Sequence, residues 1–265
     1  MTIKTKTSCW PFPPEPYPKW WRFRSKIIIP TVGVMSKIWM CCLNRTKFHN
    51  VDILRDAVSN RPKGVSLITV CNHASCMDDP LMSCMLRWRQ CLNPSIHRWT
   101  PGAKEICFSN PLFSVFFALG QTIPIVRGDG VFQPGLTYSI DKMNTGKWVQ
   151  IFPEGKIMED RSWIRFKWGI GRMLLECNHV PLIIPVYHVG MNDLLPTVKP
   201  YIPRIGQKVT MYVGEPIDIT DAKQRCHNEN MDPVEARRFL TTVIQTQFEA
   251  VKKAALDKYD NKDWK

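Results

Sequence analysis

No two cysteines in the sequence stand in a C-x-x-C pair, although ten are present. Zinc ribbons and thioredoxin-type dithiol sites are thereby disfavoured. The cysteines are scattered (Cys9, Cys41, Cys42, Cys71, Cys76, Cys84, Cys91, Cys107, Cys177 and Cys226), and reduced thiols are the simpler expectation. Also missing are G-x-S-x-G, H-E-x-x-H, a P-loop and G-x-G-x-x-G. Their absence speaks against a hydrolase nucleophile elbow, a zinc-protease helix and the common nucleotide cradles. There is no internal repeat and no low-complexity tract. The first 25 residues carry Pro, Trp and Lys where a secretory signal would carry an apolar run. Acidic residues are scarce, 23 Asp and Glu against 36 Lys and Arg, for a net charge of +13.

Such an excess attracts polyanions: nucleic acid, anionic membrane surfaces or phosphorylated substrates. Ten tryptophans and twelve phenylalanines accompany it. Basic residues interleaved with aromatics suit a membrane interface, and also stacking on single-stranded nucleic acid. No nucleic-acid-binding motif supports the second reading, so no nucleic-acid partner is expected. No metal-ligand spacing and no cofactor motif stand out, so neither a metal nor a cofactor is expected. With 265 residues, the chain can bury the core of one large domain, or of one domain with additions.

Apolar β-type runs recur with helical patterns between them. The strands are expected at Val65–Cys71, Thr122–Arg127, Trp148–Phe152, Val180–Val189 and Lys208–Val213. Helices are expected at 79–89, 134–144, 169–177 and 233–256. In the last, Asp232 caps, Pro233 opens, and Leu240, Val243, Ile244, Phe248, Val251 and Ala255 form one apolar stripe. The alternation argues for an α/β domain. Residues 156–168 and 190–206 read as loops.

The most informative motif follows the first strand: Asn72-His73-Ala74-Ser75-Cys76-Met77-Asp78. A His held by an Asp is a general base poised to deprotonate a hydroxyl. On one continuous helix, residues i and i+5 would sit roughly 140° apart and could not meet. His73 is therefore expected in the turn before a helix, with Asp78 in its first turn and reaching back. The helix N-terminus would offer N–H groups to a phosphate or an oxyanion. The reactive groups then stand at the C-terminal end of a strand, where open α/β sheets bind ligands.

Three later segments carry further chemistry. Gly120–Arg127 delivers an arginine at a strand end, and the planar guanidinium suits phosphate. Phe152-Pro153-Glu154-Gly155 ends another strand with a carboxylate and a glycine, the latter allowing a turn and close ligand approach. The loop beyond carries Lys156, Arg161, Arg165, Lys167 and Arg172 with Trp163, Phe166 and Trp168, a candidate lid over an anionic head group. Leu182–Val186 is interrupted by Pro185, which places it at a sheet edge or a bulge.

Two segments bear on membranes. Residues 1–25 read as an extended basic-aromatic leader, because their prolines oppose helix. Residues 27–43 are apolar, but seventeen helical residues reach only about 26 Å against a hydrocarbon core of roughly 30 Å. Lys37 near a bilayer centre would cost about 2.5–3.5 kcal/mol, and Pro30 would kink the segment. A helix lying in the interface, or dipping in from one side, fits better than a span. Trp20, Trp21, Ile27, Ile28, Ile29 and Trp39 are its expected membrane contacts. The run around Leu112–Leu119, with Phe113, Phe116 and Phe117, is apolar on nearly every face, so it is either wholly buried or faces lipid.

Taken in order, Asn72–Asp78, Gly120–Arg127, Phe152–Gly155 and Leu182–Val186 resemble the four blocks of the glycerophospholipid acyltransferase (His-x4-Asp) family. The resemblance continues through Arg98–Pro101, Arg165–Arg172 and His188–Asp193, and covers roughly residues 60–215. It implies a single acyltransferase domain over residues 46–265, with a mixed, largely parallel central sheet flanked by helices. Residues 1–45 would then be the leader and membrane-inserting segment. It implies His73 and Asp78 as the catalytic pair, and Asn72, Arg127, Glu154, Gly155 and Lys167 on the substrate. The longer blocks resemble a branch of mitochondrial transacylases that remodel cardiolipin. There acyl chains pass between phospholipids and lysophospholipids, monolysocardiolipin included, without acyl-CoA. The implied location is mitochondrial membranes facing the intermembrane space, by monotopic attachment; an oligomer is compatible with it. The runner-up readings are an acyl-CoA-dependent lysophospholipid acyltransferase and a non-catalytic basic lipid-binding protein.

Overall fold

A computed structural model describes residues 10–158, 162–195 and 201–260. Cys9 and Arg161, and parts of the leader and of the 190–206 loop, lie outside the described residues. In chain order the elements are α1 (Lys19–Lys37), running into a π-helical turn at Ile38–Cys42, then β1 (Arg45–His49), α2 (Val51–Asn60) and β2 (Leu67–Cys71). Next come α3 (Asp78–Leu81), a 3₁₀ turn at Met82–Met85, α4 (Trp88–Cys91), a 3₁₀ turn at Pro94–Ile96, β3 (Thr100–Ala103), α5 (Lys104–Cys107), α6 (Pro111–Leu119) and β4 (Thr122–Ile125). The chain ends with α7 (Pro134–Asn144), β5 (Trp148–Ile151), α8 (Gly169–Glu176), β6 (Leu182–Val189), α9 (Met191–Leu194), β7 (Lys208–Val213), α10 (Thr220–Asn228) and α11 (Pro233–Asp260).

The main sheet has the order β1-β7-β6-β2-β5. All its pairs are parallel except β6 with β7. It is thus the mixed, largely parallel sheet the sequence leads one to expect. β3 and β4 form a parallel pair of their own, joined to β5 by a parallel bridge between Trp99 and Val149. The C-terminal ends of β2, β4, β5 and β6 therefore share one edge. β2 lies between β5 and β6, so the chain leaves to one side of it and returns on the other, which opens a crevice there.

Side chains alternate across this sheet with period two. From β2, Ile68 and Val70 enter a core shared with α7, α8 and α11, while Leu67 and Cys71 enter a second core with α2, α4 and Met40 of the π-helical turn. From β6, Ile183 and Tyr187 face the first, Ile184 and Val186 the second. Such double-sided burial is why these strands read as continuous apolar runs. On α11 the expected stripe is real: Leu240, Ile244, Phe248 and Ala255 are buried, and Asp232 Oδ1 caps Val234 N at 2.8 Å.

Several expectations are corrected. β6 is central rather than at an edge, despite Pro185. The Pro185 carbonyl accepts from Gly214 N at 2.9 Å, just past the end of β7, so the missing N–H faces the side where the partner strand gives out. The leader is not extended throughout. Its prolines end at Pro18, and α1 starts at Lys19, so with its π-helical turn the helix runs 24 residues, Lys19–Cys42. That is about 36 Å, long enough to cross a bilayer by length alone. One face of it packs on the body of the protein. Trp21 (5% exposed) and Ile29 (2%) face the protein interior and are withdrawn as membrane contacts. Lys37 is turned inward, its Nζ donating to Cys84 O at 3.0 Å, and Ser36 Oγ donates to Pro80 O at 2.6 Å. The expected 79–89 helix is instead broken into α3, a 3₁₀ turn and α4.

The segment before α1 is pinned to α7. Lys142 Nζ pairs with Glu15, donates to Tyr17 Oη at 3.0 Å, and lies 4.4 Å from the Trp99 ring centre and 4.6 Å from that of Tyr138. Phe12 stacks on Tyr138 at 5.1 Å. Burial lowers the Lys142 pKa, and the hydrogen bond and charge of Glu15 offset only part of that.

Candidate active site

β2 ends at Cys71, and the next residues turn before α3 begins at Asp78. The Asp78 carboxylate reaches back over that turn. Its Oδ2 accepts from His73 Nδ1 at 2.9 Å, from Ala74 N at 2.6 Å and from Ser75 N at 2.8 Å. This is the geometry required by the spacing, with the base in the turn and the carboxylate in the first turn of the helix. Asp78 is fully buried, while the His73 side chain keeps 19% of its surface exposed. With Nδ1 committed to Asp78, His73 Nε2 is the nitrogen left to take a proton. The Phe152 ring packs against the imidazole at 4.6 Å.

Burial by itself would raise the pKa of Asp78. The charge and hydrogen bonds of His188, and then those of His73, hold it well below the usual carboxylate range. Asp78 is thus a fixed anion. The helix terminus itself is not a free anion site, contrary to expectation. α3 has only four residues, and the N–H groups of Ala74 and Ser75 are spent on Asp78.

Glu154, after β5, is brought to the same turn. Its Oε2 accepts the main-chain N–H of His73 at 3.2 Å, and Met158 N donates to the His73 carbonyl at 2.7 Å. Burial pushes the Glu154 carboxyl up to about 7; the His73 main-chain bond and the charges of His188 and His73 pull it partly back, and Asp78 adds to the rise. Gly155 adopts φ +70°, which a side chain would oppose, and lies against the exposed Lys167, whose N–H donates to Pro153 O at 2.7 Å. Glu154, Gly155 and Lys167 therefore form one group beside His73.

Asn72 is a correction. It is buried, and both ends of its amide are used within the protein: Nδ2 donates to His188 O at 3.0 Å and Oδ1 accepts from His188 N at 2.8 Å. It is a structural residue of the turn rather than a substrate contact. Arg127 follows β4 on the shared sheet edge, half exposed, and pairs with Glu105 at 3.2 Å rather than with the His73 turn. In the expected lid, Phe166 is core and Arg172 is tied to Glu176, Val131 O and Thr137, so neither covers a ligand. Trp163 is exposed.

Two features escaped the sequence reading. One is His188 at the end of β6, whose Nε2 lies 2.9 Å from Asn72 O and 3.5 Å from Asp78 Oδ2. The other is Asp79, which accepts from Arg98 Nε at 2.9 Å, Thr100 Oγ1 at 2.7 Å and Gln150 Nε2 at 2.8 Å. His188 falls in a block that carried the family resemblance and Asp79 directly after one, but nothing in their spacing shows what they touch.

Of the expected membrane contacts, Trp20 and Ile27 are exposed on α1, and Phe113 and Phe116 on α6, which packs beside it. Ile28, Trp39 and Phe117 are half-buried. Phe23 and Met35 on α1 and Ile38 in the π-helical turn extend the row, and Leu112 and Val115 widen it on α6.

A general base on a fixed carboxylate, at the C-terminal edge of this sheet, defines an acid–base transferase or hydrolase site. The family described as Acyltransferase matches residues 49–189, more than half of the chain. The chain belongs to the acyltransferase family. Within it, the chain is similar to a tafazzin of Drosophila melanogaster, 40% identical over 241 residues, which are 90% of this chain and 64% of that protein. A Dictyostelium discoideum protein named Taffazin is 41% identical over 205 residues, 74% of this chain and 70% of its own. N-acylphosphatidylethanolamine synthase of Arabidopsis thaliana is 36% identical over 197 residues, 72% of this chain and 69% of its own. The chain thus spans about two thirds of the length of these relatives. In fold it is similar to PlsC, the 1-acyl-sn-glycerophosphate (LPA) acyltransferase of Thermotoga maritima, with TM-score 0.57 over 89% of this chain and 87% of that one at 19% identity.

Proposed function

We propose that this chain is a phospholipid–lysophospholipid transacylase that works at a membrane surface. The observation that carries the reading is the His73–Asp78 pair, with His73 Nε2 open and its main chain held by Glu154 and Met158. His73 Nε2 takes the proton from a lysolipid hydroxyl as the oxygen attacks the ester carbonyl of a donor lipid. The tetrahedral intermediate collapses, the donor's C–O bond breaks, and the proton passes from His73 to the leaving alkoxide. One ester forms and one is broken, so the exchange is nearly thermoneutral and needs no nucleotide. Asp78 orients the imidazole and stabilises its charged form.

Arg127, Glu154, Gly155 and Lys167 are the proposed head-group contacts. Residues 1–45 carry the leader and membrane-inserting helix, and residues 46–265 the acyltransferase domain. The exposed rows on α1 and α6, next to Lys19, Arg22, Arg24 and Lys26, support interfacial attachment to an anionic bilayer. The resemblance of the longer blocks to cardiolipin-remodelling transacylases supports cardiolipin as the proposed substrate, with monolysocardiolipin as acceptor, on mitochondrial membranes facing the intermembrane space.

The test uses purified protein, mixed liposomes and a labelled acyl donor, with and without CoA. Transfer from phospholipid without CoA is expected, and His73→Ala should abolish it while vesicle binding persists. Full activity in that variant would remove His73 as the base. A second reading, an acyl-CoA-dependent lysophospholipid acyltransferase, is the outcome if transfer requires acyl-CoA. Including phosphatidylethanolamine tests an amine acceptor, as the name of the Arabidopsis relative suggests.

A further inference from the structure

Asn72 and His188 hold each other by three hydrogen bonds. The Asn72 amide takes both main-chain groups of His188, at 3.0 and 2.8 Å, and His188 Nε2 lies 2.9 Å from the Asn72 carbonyl. Main-chain pairing of β2 with β6 ends at Cys71 and Val186, so the Asn72 side chain continues the ladder where the strands part. This lock sits at the residue immediately before His73. The same His188 ring stands 3.5 Å from Asp78 Oδ2, the oxygen that holds His73. Asp78 therefore lies between two imidazoles, one partly exposed and one sealed.

We infer that His188 is a positioning residue for His73: it locks the turn that carries the base, and it shares the Asp78 carboxylate with it. The inference rests on the reading of His73 as the base. His188 does not touch substrate, because its side chain has no exposed surface. Its hydrogen bond to Asn72 O requires a proton on Nε2, which aims an N–H, and not a lone pair, toward Asp78. Around His188 the charged and titratable groups are Asp78, His73 and Glu154, with Glu249 and Lys252 of α11 lining the same cavity. Burial alone would favour the neutral ring, but Asp78, its hydrogen bonds and Glu154 shift His188 toward the protonated form. When His188 takes a second proton, at its buried and unpartnered Nδ1, that charge draws on Asp78 in competition with protonated His73. Removing it leaves Asp78 to His73 alone, so the His73 imidazolium gains and the acid limb of activity moves to higher pH.

The test compares kcat/KM against pH for the intact chain, His188→Gln, His188→Ala and His73→Ala in liposomes, with thermal unfolding of each. Gln places an amide N–H close to the imidazole Nε2 position without a titratable charge. His188→Gln is expected to keep kcat within about threefold at its optimum and to move the acid limb up by about half a unit or more. His188→Ala should lose about tenfold or more in kcat with KM little changed, because the turn loosens while the head-group contacts remain. If His188→Ala does not fold, His188→Gln alone decides through its pH limb. Unchanged limbs in the folded variants would overturn the inference, leaving His188 as packing only. If His73→Ala retains activity, the base assignment fails first and this inference with it. An inactive His73→Ala with unchanged His188 limbs removes this inference alone.

Discussion

Glu154 accepts the main-chain N–H of His73 at 3.2 Å while burial lifts its own pKa to about 7. The native state therefore holds this proton more tightly than the unfolded chain, whose carboxyl titrates near 4.5. The cost of ionising it is absent below about pH 4.5, grows as pH rises, and is fully present above 7, at roughly 3 kcal/mol. Glu154→Gln, which mimics the protonated form, should match the parent chain at pH 4.5 and exceed it in thermal stability at pH 8.5. An advantage that does not grow with pH would mean that the carboxyl is not held in a desolvated place. Acyl transfer should fall in the same variant.

Arg98 and Asp79 form a largely enclosed forked pair, with Arg98 Nε and Nη2 on the two carboxylate oxygens at 2.9 and 2.7 Å. Arg98→Leu strands the Asp79 carboxylate among Thr100 and Gln150 without its cation. The expected loss is about 3 kcal/mol of unfolding free energy, read from denaturant midpoints. Arg98→Lys keeps the charge but not the fork, and should fall between. Because Asp79 follows Asp78 directly, kcat should fall in parallel; normal activity in a destabilised Arg98→Leu would show that the two neighbours are independent.

Glu105 occupies Arg127 at 3.2 Å, both side chains about half exposed. An ion pair in that setting is worth about 0–1 kcal/mol, so an incoming phosphate can displace it cheaply. Arg127→Ala should raise KM for the lysolipid without a matching change in kcat. Glu105→Gln should lower KM, by no more than about fivefold. A rise in KM instead would make Glu105 part of the head-group site.

Phe113 (47% exposed) and Phe116 (41%) on α6 can be tested against Trp21 and Ile29 on α1. Phe113→Ser with Phe116→Ser should weaken sedimentation with anionic vesicles by about tenfold or more, from the apolar area lost, and leave the melting temperature nearly unchanged. Trp21→Ala and Ile29→Ala should do the reverse, costing about 2–5 kcal/mol of stability through the cavities they leave. Vesicle binding that survives the Phe double change would place the lipid surface elsewhere.

Much of this was legible because backbone period and turn geometry are local properties. The strand at Lys208–Val213 and the helix at Pro134–Asn144 fall where the pattern puts them. The His73–Asp78 geometry follows from a spacing that one helix could not satisfy. What the sequence hides is decided across the sheet. Pro185 reads as an edge signal because proline lacks a donor, yet β7 ends beside it and no donor is needed. Trp21 and Ile29 have the same chemistry as Trp20 and Ile27; only the packing of α1 on the body sorts them. Asn72 looks like a ligand contact until β6 is laid beside β2. β1, β3 and α10 escape the pattern because they are short or lack strong apolar periodicity, whereas α2 carries a legible helical stripe of Val51, Leu54, Ala57 and Val58 that the expected helices leave out.

α1 is fastened at both ends, by the Lys142 enclosure of the segment before it and by Lys37 on Cys84 O. Midway between catalysis and surface, Ser36 ties it to Pro80, two residues from Asp78. The helix is in effect a rigid stand-off. On the proposed interfacial attachment, a bilayer resting on its outer row would meet the His73 turn at one set depth, and reach along the lipid would select which ester carbonyl arrives at the base.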